Sequence, residues 1–337
     1  MRVLIAGAGS LGTVYGGFLA RAGHDVQLLC RPAHAAAVTG RGGVEVRSID
    51  ETFVAPLRAT ADPTALDAVD VVVLACKAPD TSDLLGGIAH LAGSVSTAVS
   101  IQNGVTGGAA LAGWCDPSAV VGGVSMVGGT LVEPGVVAHT LAGPTFVGPL
   151  GGTRAGAAAQ LADELGAAGL EAVLTDRITS VEWSKLVHAS PSMALTALTR
   201  LDFHHVFVQP NLAEAFLDLV VEGVAIADAA GVAVDDWPHL LPVRTLARLP
   251  RAEGLAAVAA HGRRLVDAGM TSIRISMLQS IERGRRTEVD AIHGQLAREA
   301  ARLGVAAPAT RFAHQVLSGL DRVLVHQGGE EEAPCSS

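Results

Sequence analysis

Lys77 and Lys185 are the only lysines in a chain that carries 22 arginines. A guanidinium serves wherever a fixed positive charge is needed, but it releases no proton at any usable pH. An ammonium titrates, and its pKa shifts when it is desolvated. In a sequence so averse to lysine, each survivor is a candidate for proton chemistry. Asparagine (Asn103 and Asn211) and tyrosine (Tyr15 alone) are as scarce. Chance survival under a compositional bias is the competing explanation. Position along the chain singles out Lys77, Asn103 and Lys185.

Lys185 lies in Val181-Glu182-Trp183-Ser184-Lys185-Leu186, early in a helical pattern. Trp183 and Leu186 suggest a helix buried on one side. A lysine partly dried on such a helix loses pKa and becomes a usable proton donor. Lys77 ends the apolar run Asp70–Cys76, and Asn103 follows the run Thr97–Ile101 within Gln102-Asn103-Gly104. In an open parallel sheet, ligands bind beyond the carboxyl ends of the strands, which places both residues at a crevice. A plain Asn-Gly turn and a solvated strand end are the simpler alternatives.

The elements that must position these residues begin at the first residues. Val3–Ala6 is a short apolar run, followed by Gly7-Ala8-Gly9-Ser10-Leu11-Gly12, a helical pattern over Leu11–Arg21, and a second apolar run Val26–Cys30. This is strand, glycine turn, helix, strand. Gly7 permits the tight turn, Gly9 lets backbone approach a pyrophosphate, and Gly12 allows close helix–strand packing. The helix N-terminus offers unpaired N–H groups to the phosphates. After the second strand stands Arg31, where a carboxylate would favour NAD through the ribose 2′-OH. Arg31 can reach a 2′-phosphate, so NADP(H) is favoured; a solvated loop arginine is the alternative.

Further along, Ala119–Leu150 reads as hairpin-like strands, 153–168 as a helix and Glu171–Leu174 as the last strand of the first domain. From Ile178 the pattern is helical almost throughout, with helices near 179–199, 210–231, 237–249, 253–267, 272–283 and 286–304. The expected organisation is a dinucleotide-binding domain over 1–176, a helical substrate and catalytic domain over 177–323 sharing a cleft with it, and an acidic tail over 324–337 without fixed structure. Thr287-Glu288-Val289-Asp290 opens the last of those helices. There the carboxylates could simply favour the helix N-terminus.

Bulk composition limits the partners. Net charge is −9 with no basic stripe, which argues against nucleic acid. No apolar run is long enough to cross a bilayer, and the first residues enter a strand rather than a signal peptide. The four cysteines show no paired spacing and read as reduced cytoplasmic thiols. No metal is expected.

Taken together, these segments resemble the ketopantoate reductase (2-dehydropantoate 2-reductase) family over roughly residues 1 to 320. The resemblance rests on GAGSLG with Arg31, VLACK at Lys77, IQNG at Asn103, EWSKL at Lys185, LTAL at 195–198, and SMLQS…GRRTEVD with Ser276 and Glu288. It implies an α/β chain: an N-terminal Rossmann-type doubly wound parallel sheet followed by an all-helical domain. NADPH would reduce a small-molecule 2-keto acid, with a homodimer as the assembly to test for. By the resemblance Lys185 is the general acid, Glu288 accepts a substrate hydroxyl and Ser276 holds the substrate carboxylate. Gly7, Ala8, Gly9, Ser10, Leu11, Gly12, Arg31, Lys77 and Asn103 bind the cofactor, and Asn103 also faces the substrate.

The chain departs from the family at its substrate positions. Similar enzymes carry asparagines one and two turns after the lysine; here Ala189 and Met193 stand there. The Asp after SMLQ is Ser280, and the later Asn-Gly is His293-Gly294. Lost hydrogen bonds to a polar substrate point to a bulkier or more apolar 2-keto acid. His188 and Ser192 are close enough in sequence to compensate, or are ordinary helix residues. Two further functions stay open: an NADPH-dependent reductase of another carbonyl or an imine, and a non-catalytic NADPH-binding regulatory protein.

Overall fold

The computed structural model describes residues 1–237 and 240–331. The chain divides into two units, Met1–Thr179 and the residues from Ser180 onward.

The first unit opens with β1 (Arg2–Ala6), α1 (Ser10–Arg21) and β2 (Asp25–Leu29). It continues through α2 (Pro32–Arg41), β3 (Val44–Arg47), β4 (Thr52–Ala55), β5 (Arg58–Thr60), β6 (Val71–Leu74), α3 (Thr81–Gly87), β7 (Thr97–Ser100) and α4 (Gly107–Ala112). It closes with β8 (Val120–Ser125), β9 (Gly128–Glu133), β10 (Val136–Leu141), β11 (Thr145–Pro149), α5 (Ala157–Ala167) and β12 (Ala172–Leu174). Eight strands form one sheet in the order β12-β11-β8-β7-β6-β1-β2-β5. The six from β8 to β5 are parallel, as the apolar runs implied, while β11 pairs antiparallel with β8. No helix crosses over between β8 and β11; the chain returns through a hairpin and so arrives reversed.

That hairpin, β9–β10, joins β3 and β4 in a second sheet, β4-β3-β10-β9. The strands expected over 119–150 are therefore shared between two sheets. Helix α1 lies between them, and that explains why it is buried continuously from Gly12 to Ala20. A Cβ on Gly16 would stand 2.7 Å from Leu28 of the large sheet, and one on Gly17 2.4 Å from Val46 of the small one. Tyr15 is fully buried on the same helix, its hydroxyl bonded to Ser125 at 2.8 Å and Thr145 at 2.5 Å. Its scarcity thus has a packing explanation.

The second unit is helical: α6 (Ile178–Thr199, which begins in the first unit), α7 (His205–Val208), α8 (Pro210–Ala229), α9 (Val243–Leu246), α10 (Arg251–Asp267), α11 (Ser276–Glu282), α12 (Gln295–Leu303) and α13 (Pro308–Glu331). Helix α8 is central, burying Phe216, Leu217, Val220, Val224 and Ile226. Its Glu222 caps α13, accepting from the N–H groups of Ala309 and Thr310 at 2.9 and 2.7 Å.

Three expected helices shorten. The one near 237–249 is only Val243–Leu246, because Pro242 stands before it and Asp236 holds the N–H groups of Arg244 and Thr245; positions 238 and 239 lie outside the described residues. The helix near 272–283 begins at Ser276. The one near 286–304 starts after Glu288 with a wide turn of π geometry, Asp290–Gly294, before α12. The tail expected to lack structure from 324 is helical as far as Glu331; its remainder lies outside the described residues. Among the described residues no helix is long and apolar enough to cross a membrane, and no group of three His, Cys, Asp or Glu could hold a metal ion.

Candidate active site

In the first unit the predicted cofactor residues fall at one edge of the sheet. Ala6 is in register with Leu29 of β2 and Leu74 of β6, and Leu74 with Ser100 of β7. Gly7, Arg31, Lys77 and Asn103 therefore all follow aligned carboxyl ends. Gly7 takes φ +88, and a Cβ there would meet Cys76 at 2.3 Å, so the turn is fitted against the end of β6. A Cβ on Gly9 would meet no atom within 4 Å, leaving the backbone open to a ligand. Among the described residues no side chain caps the α1 N-terminus that begins there. Ala8 is buried behind the turn and Leu11 is partly buried. At Gly12 a Cβ would crowd Ile5 and Ala75 at 2.8 and 2.9 Å. This cradle fits a pyrophosphate: space above Gly9, the first-turn N–H groups of an α1 that no side chain caps among the described residues, and a helix dipole.

The cradle is fastened from behind. Ser10 Oγ accepts the N–H of Leu131 at 3.0 Å. The Thr13 hydroxyl donates to the Gly9 carbonyl at 2.6 Å and lies 3.1 Å from His34 Nε2, while His34 Nδ1 accepts the N–H of Gly135 at 3.0 Å. These contacts fix His34 as the neutral Nε2–H tautomer, and burial also lowers its pKa. Arg31 is exposed at the N-terminus of α2, three residues before His34.

Lys77 and Asn103 are each half-buried. Gln102, between β7 and Asn103, donates to the Cys76 carbonyl and to Thr81, each at 2.8 Å. It thereby ties together the two loops that carry the lysine and the asparagine. Burial pushes the Cys76 thiol up to about 11, so it packs rather than reacts.

In the second unit, Lys185 is half-buried on α6 between buried Ser184 and Leu186. Burial pulls its pKa down to about 8, and the negative charge of Glu288 opposes that fall. Glu288 is buried just before the π turn, with Thr287 beside it anchored through its N–H to Asp321 at 2.5 Å. Glu182, one turn before Lys185, is pushed up to about 7 by burial. Ala189 and Met193 follow Lys185 at four and eight residues, on the same side of the helix. Met193 is buried and Ala189 half-buried. Ser276 is half-buried in the first turn of α11, its carbonyl accepting from the buried Ser280 hydroxyl at 3.0 Å. Of the predicted residues in this unit, a charge interaction joins Lys185 with Glu288. Ser276 stands on a separate helix, α11.

The residues considered as compensation are committed elsewhere. His188 stacks on Trp237 at 5.3 Å and lies 3.2 Å from the Asp235 carbonyl, and Ser192 donates to the Ala189 carbonyl at 3.2 Å. Sequence reasoning missed Thr13, His34, Gln102, Glu182 and His293. Thr13 at four residues after Gly9 and Glu182 at three before Lys185 carried a helical-spacing signal; His34 carried none, and His293 stood out only as a departure from the family's asparagine, with nothing to mark its distant partner Ser190.

Comparison with known proteins places this arrangement. The family profile described as "Ketopantoate reductase PanE/ApbA" matches residues 3–152, and "Ketopantoate reductase PanE/ApbA C terminal" matches 177–321. The 2-dehydropantoate 2-reductases of Halobacterium salinarum and Archaeoglobus fulgidus are each 29% identical, over 92% and 96% of this chain and 96% and 99% of their own. A crystal structure of a PanE/ApbA family ketopantoate reductase from Ralstonia eutropha superposes with a TM-score of 0.81 at 29% identity, covering 97% of this chain and all of that one. D-mandelate dehydrogenase, solved with NADH and anilino(oxo)acetate, shares the fold at a TM-score of 0.82 and 22% identity, over 96% of this chain and 100% of its own. Two profiles of one family cover the sequence almost end to end, and full-length relatives agree with them: the chain belongs to the ketopantoate reductase family.

Proposed function

We propose that this protein reduces a 2-keto acid to a 2-hydroxy acid with NADPH, and that Lys185 is the general acid. The observation that carries the reading is Lys185 itself, a desolvated ammonium with a pKa of about 8 beside the Glu288 carboxylate. An ammonium with that pKa is mostly charged at neutral pH yet ready to give up its proton. Bound at the cradle, the cofactor supplies the hydride that goes to the carbonyl carbon. Lys185 donates a hydrogen bond to the ketone oxygen, stabilises the negative charge growing there, and delivers the proton to complete the alcohol. Glu288 keeps the lysine charged and accepts a substrate hydroxyl, while Ser276 holds the substrate carboxylate. Gly7 to Gly12 hold the pyrophosphate, Arg31 takes the 2′-phosphate, and Lys77 and Asn103 attend the nicotinamide end.

The substrate is 2-dehydropantoate or a more apolar relative. Buried Met193 and half-buried Ala189 favour the apolar relative, because neither can pair with a polar substituent. The test is loss of reduced-cofactor absorbance with 2-dehydropantoate and with 2-keto acids of increasing apolar bulk, using NADPH and NADH in parallel. Turnover of at least one 2-keto acid, faster with NADPH, is expected. Tight NADPH binding with no turnover of any carbonyl or imine would instead support a regulatory protein.

A further inference from the structure

We propose that His293 is a positioning residue: it braces the Glu288 segment against α6 and so sets the Lys185–Glu288 pair. The inference rests on the reading of Lys185 as proton donor. His293 Nε2 lies 2.9 Å from the Ser190 carbonyl, with the ring only 1% exposed. A carbonyl accepts, so Nε2 carries the proton and donates. Nδ1 is then a buried acceptor, and among the described residues it has no partner. An unpaired buried acceptor is a cost. The ring's one polar contact is therefore the bond to Ser190.

The position of that bond matters. Ser190 stands five residues after Lys185 on α6, and His293 five after Glu288 across the π turn. The brace lies one step past the charge pair on both elements. Ser190 also precedes Pro191, which removes a backbone N–H and leaves the helix free to bend there. A bond made at that point fixes how the Glu288 segment meets α6. The titratable and charged groups on the elements packed about this stretch of α6 include Glu182 and His188 on the helix itself, Asp235 and Asp236 on the segment bonded to Ser184 and His188, Glu222 on α8 beside Gly223, and Glu288, with Asp290, His293 and His314 on the segments that follow it. Among these, Glu288 is the charge that acts on Lys185.

The test needs no turnover. Because the chain has two lysines, reductive methylation with carbon-13 formaldehyde gives two side-chain NMR signals besides the amino terminus, and Lys77→Arg assigns them. Lys185 is titrated in the wild type, in His293→Gln, whose amide nitrogen reaches the position of Nε2, and in His293→Leu, which fills the space without a donor. The glutamine variant is expected to titrate with the wild type. The leucine variant should titrate about one unit lower as Glu288 drifts away, a roughly tenfold smaller ammonium fraction at alkaline pH. If the leucine variant does not fold, His293→Asn, whose amide falls short of Ser190, is expected to show the same fall. A leucine or asparagine variant that titrates with the wild type overturns the brace, as does a glutamine variant that falls as far as leucine. Keto acid turnover on unmethylated portions of the same proteins tests the functional reading separately: an inactive unmethylated wild type sinks that reading, while the titrations still decide the brace.

Discussion

Glu288 holds the Lys185 ammonium up against its own burial: desolvation draws the lysine down to about 8, and the carboxylate limits the fall. The pH dependence follows with a definite sign. As the proposed general acid Lys185 must be protonated, so kcat/KM for keto acid reduction should be flat below about 8 and fall about tenfold per unit above it. Glu288→Gln removes the opposing charge, so its alkaline limb should break at lower pH. A pH–rate profile of both proteins checks this; a profile flat through pH 9 would contradict it.

Glu182 titrates in the same turn with an effect on stability. Its folded pKa, about 7, lies above the ordinary 4.5. The penalty for ionising it is absent below 4.5, grows as pH rises, and is complete above 7. Glu182→Gln should therefore raise the thermal midpoint by a few degrees at pH 8 and leave it unchanged at pH 4.5. Calorimetry at the two pH values measures the difference.

The glycine turn separates folding from binding. Gly9→Ala meets nothing in the protein, so its thermal midpoint should stay near wild type while NADPH affinity falls about tenfold or more, as backbone approach to the pyrophosphate is blocked. Gly7→Ala faces both positive φ and the end of β6, and should lose stability as well. Fluorescence titration with NADPH beside thermal melts distinguishes the two. Wild-type affinity in Gly9→Ala would remove the close-approach argument.

Substrate preference is expected to turn on α6. Met193→Asn, alone or with Ala189→Asn, adds polar groups on the Lys185 side of the helix. Each regained hydrogen bond is worth about 1–3 kcal/mol. The ratio of kcat/KM for 2-dehydropantoate to that for an apolar 2-keto acid should rise about tenfold or more, measured as a competition between the two.

What was legible in the sequence was local. The run from Val3 to Cys30 announces its strand, turn, helix and strand because the signals that set them, two apolar runs, the glycine turn and a helical period, are contiguous and β1 pairs directly with β2, and Lys77, Asn103 and Lys185 were conspicuous by type. The small sheet was not legible: β3 and β10 are some ninety residues apart, and Val54 and Val132 remain exposed, which blurs the alternation that marks a strand. His34 and His293 were hidden for the same reason. Each finds a partner about a hundred residues away, at Gly135 and Ser190, and nothing near either histidine signals it. The shortened helix at Val243–Leu246 shows tertiary capping by Asp236 overriding an apolar periodicity.

Lys185→Arg tests the central claim most directly, since it keeps the positive charge and removes the transferable proton. Single-turnover reduction of the preferred 2-keto acid should slow by about 10²–10⁴-fold, with NADPH affinity within twofold of wild type. An arginine variant that turns over at the wild-type rate would show that the side chain acts only as a charge, and that the proton comes from elsewhere.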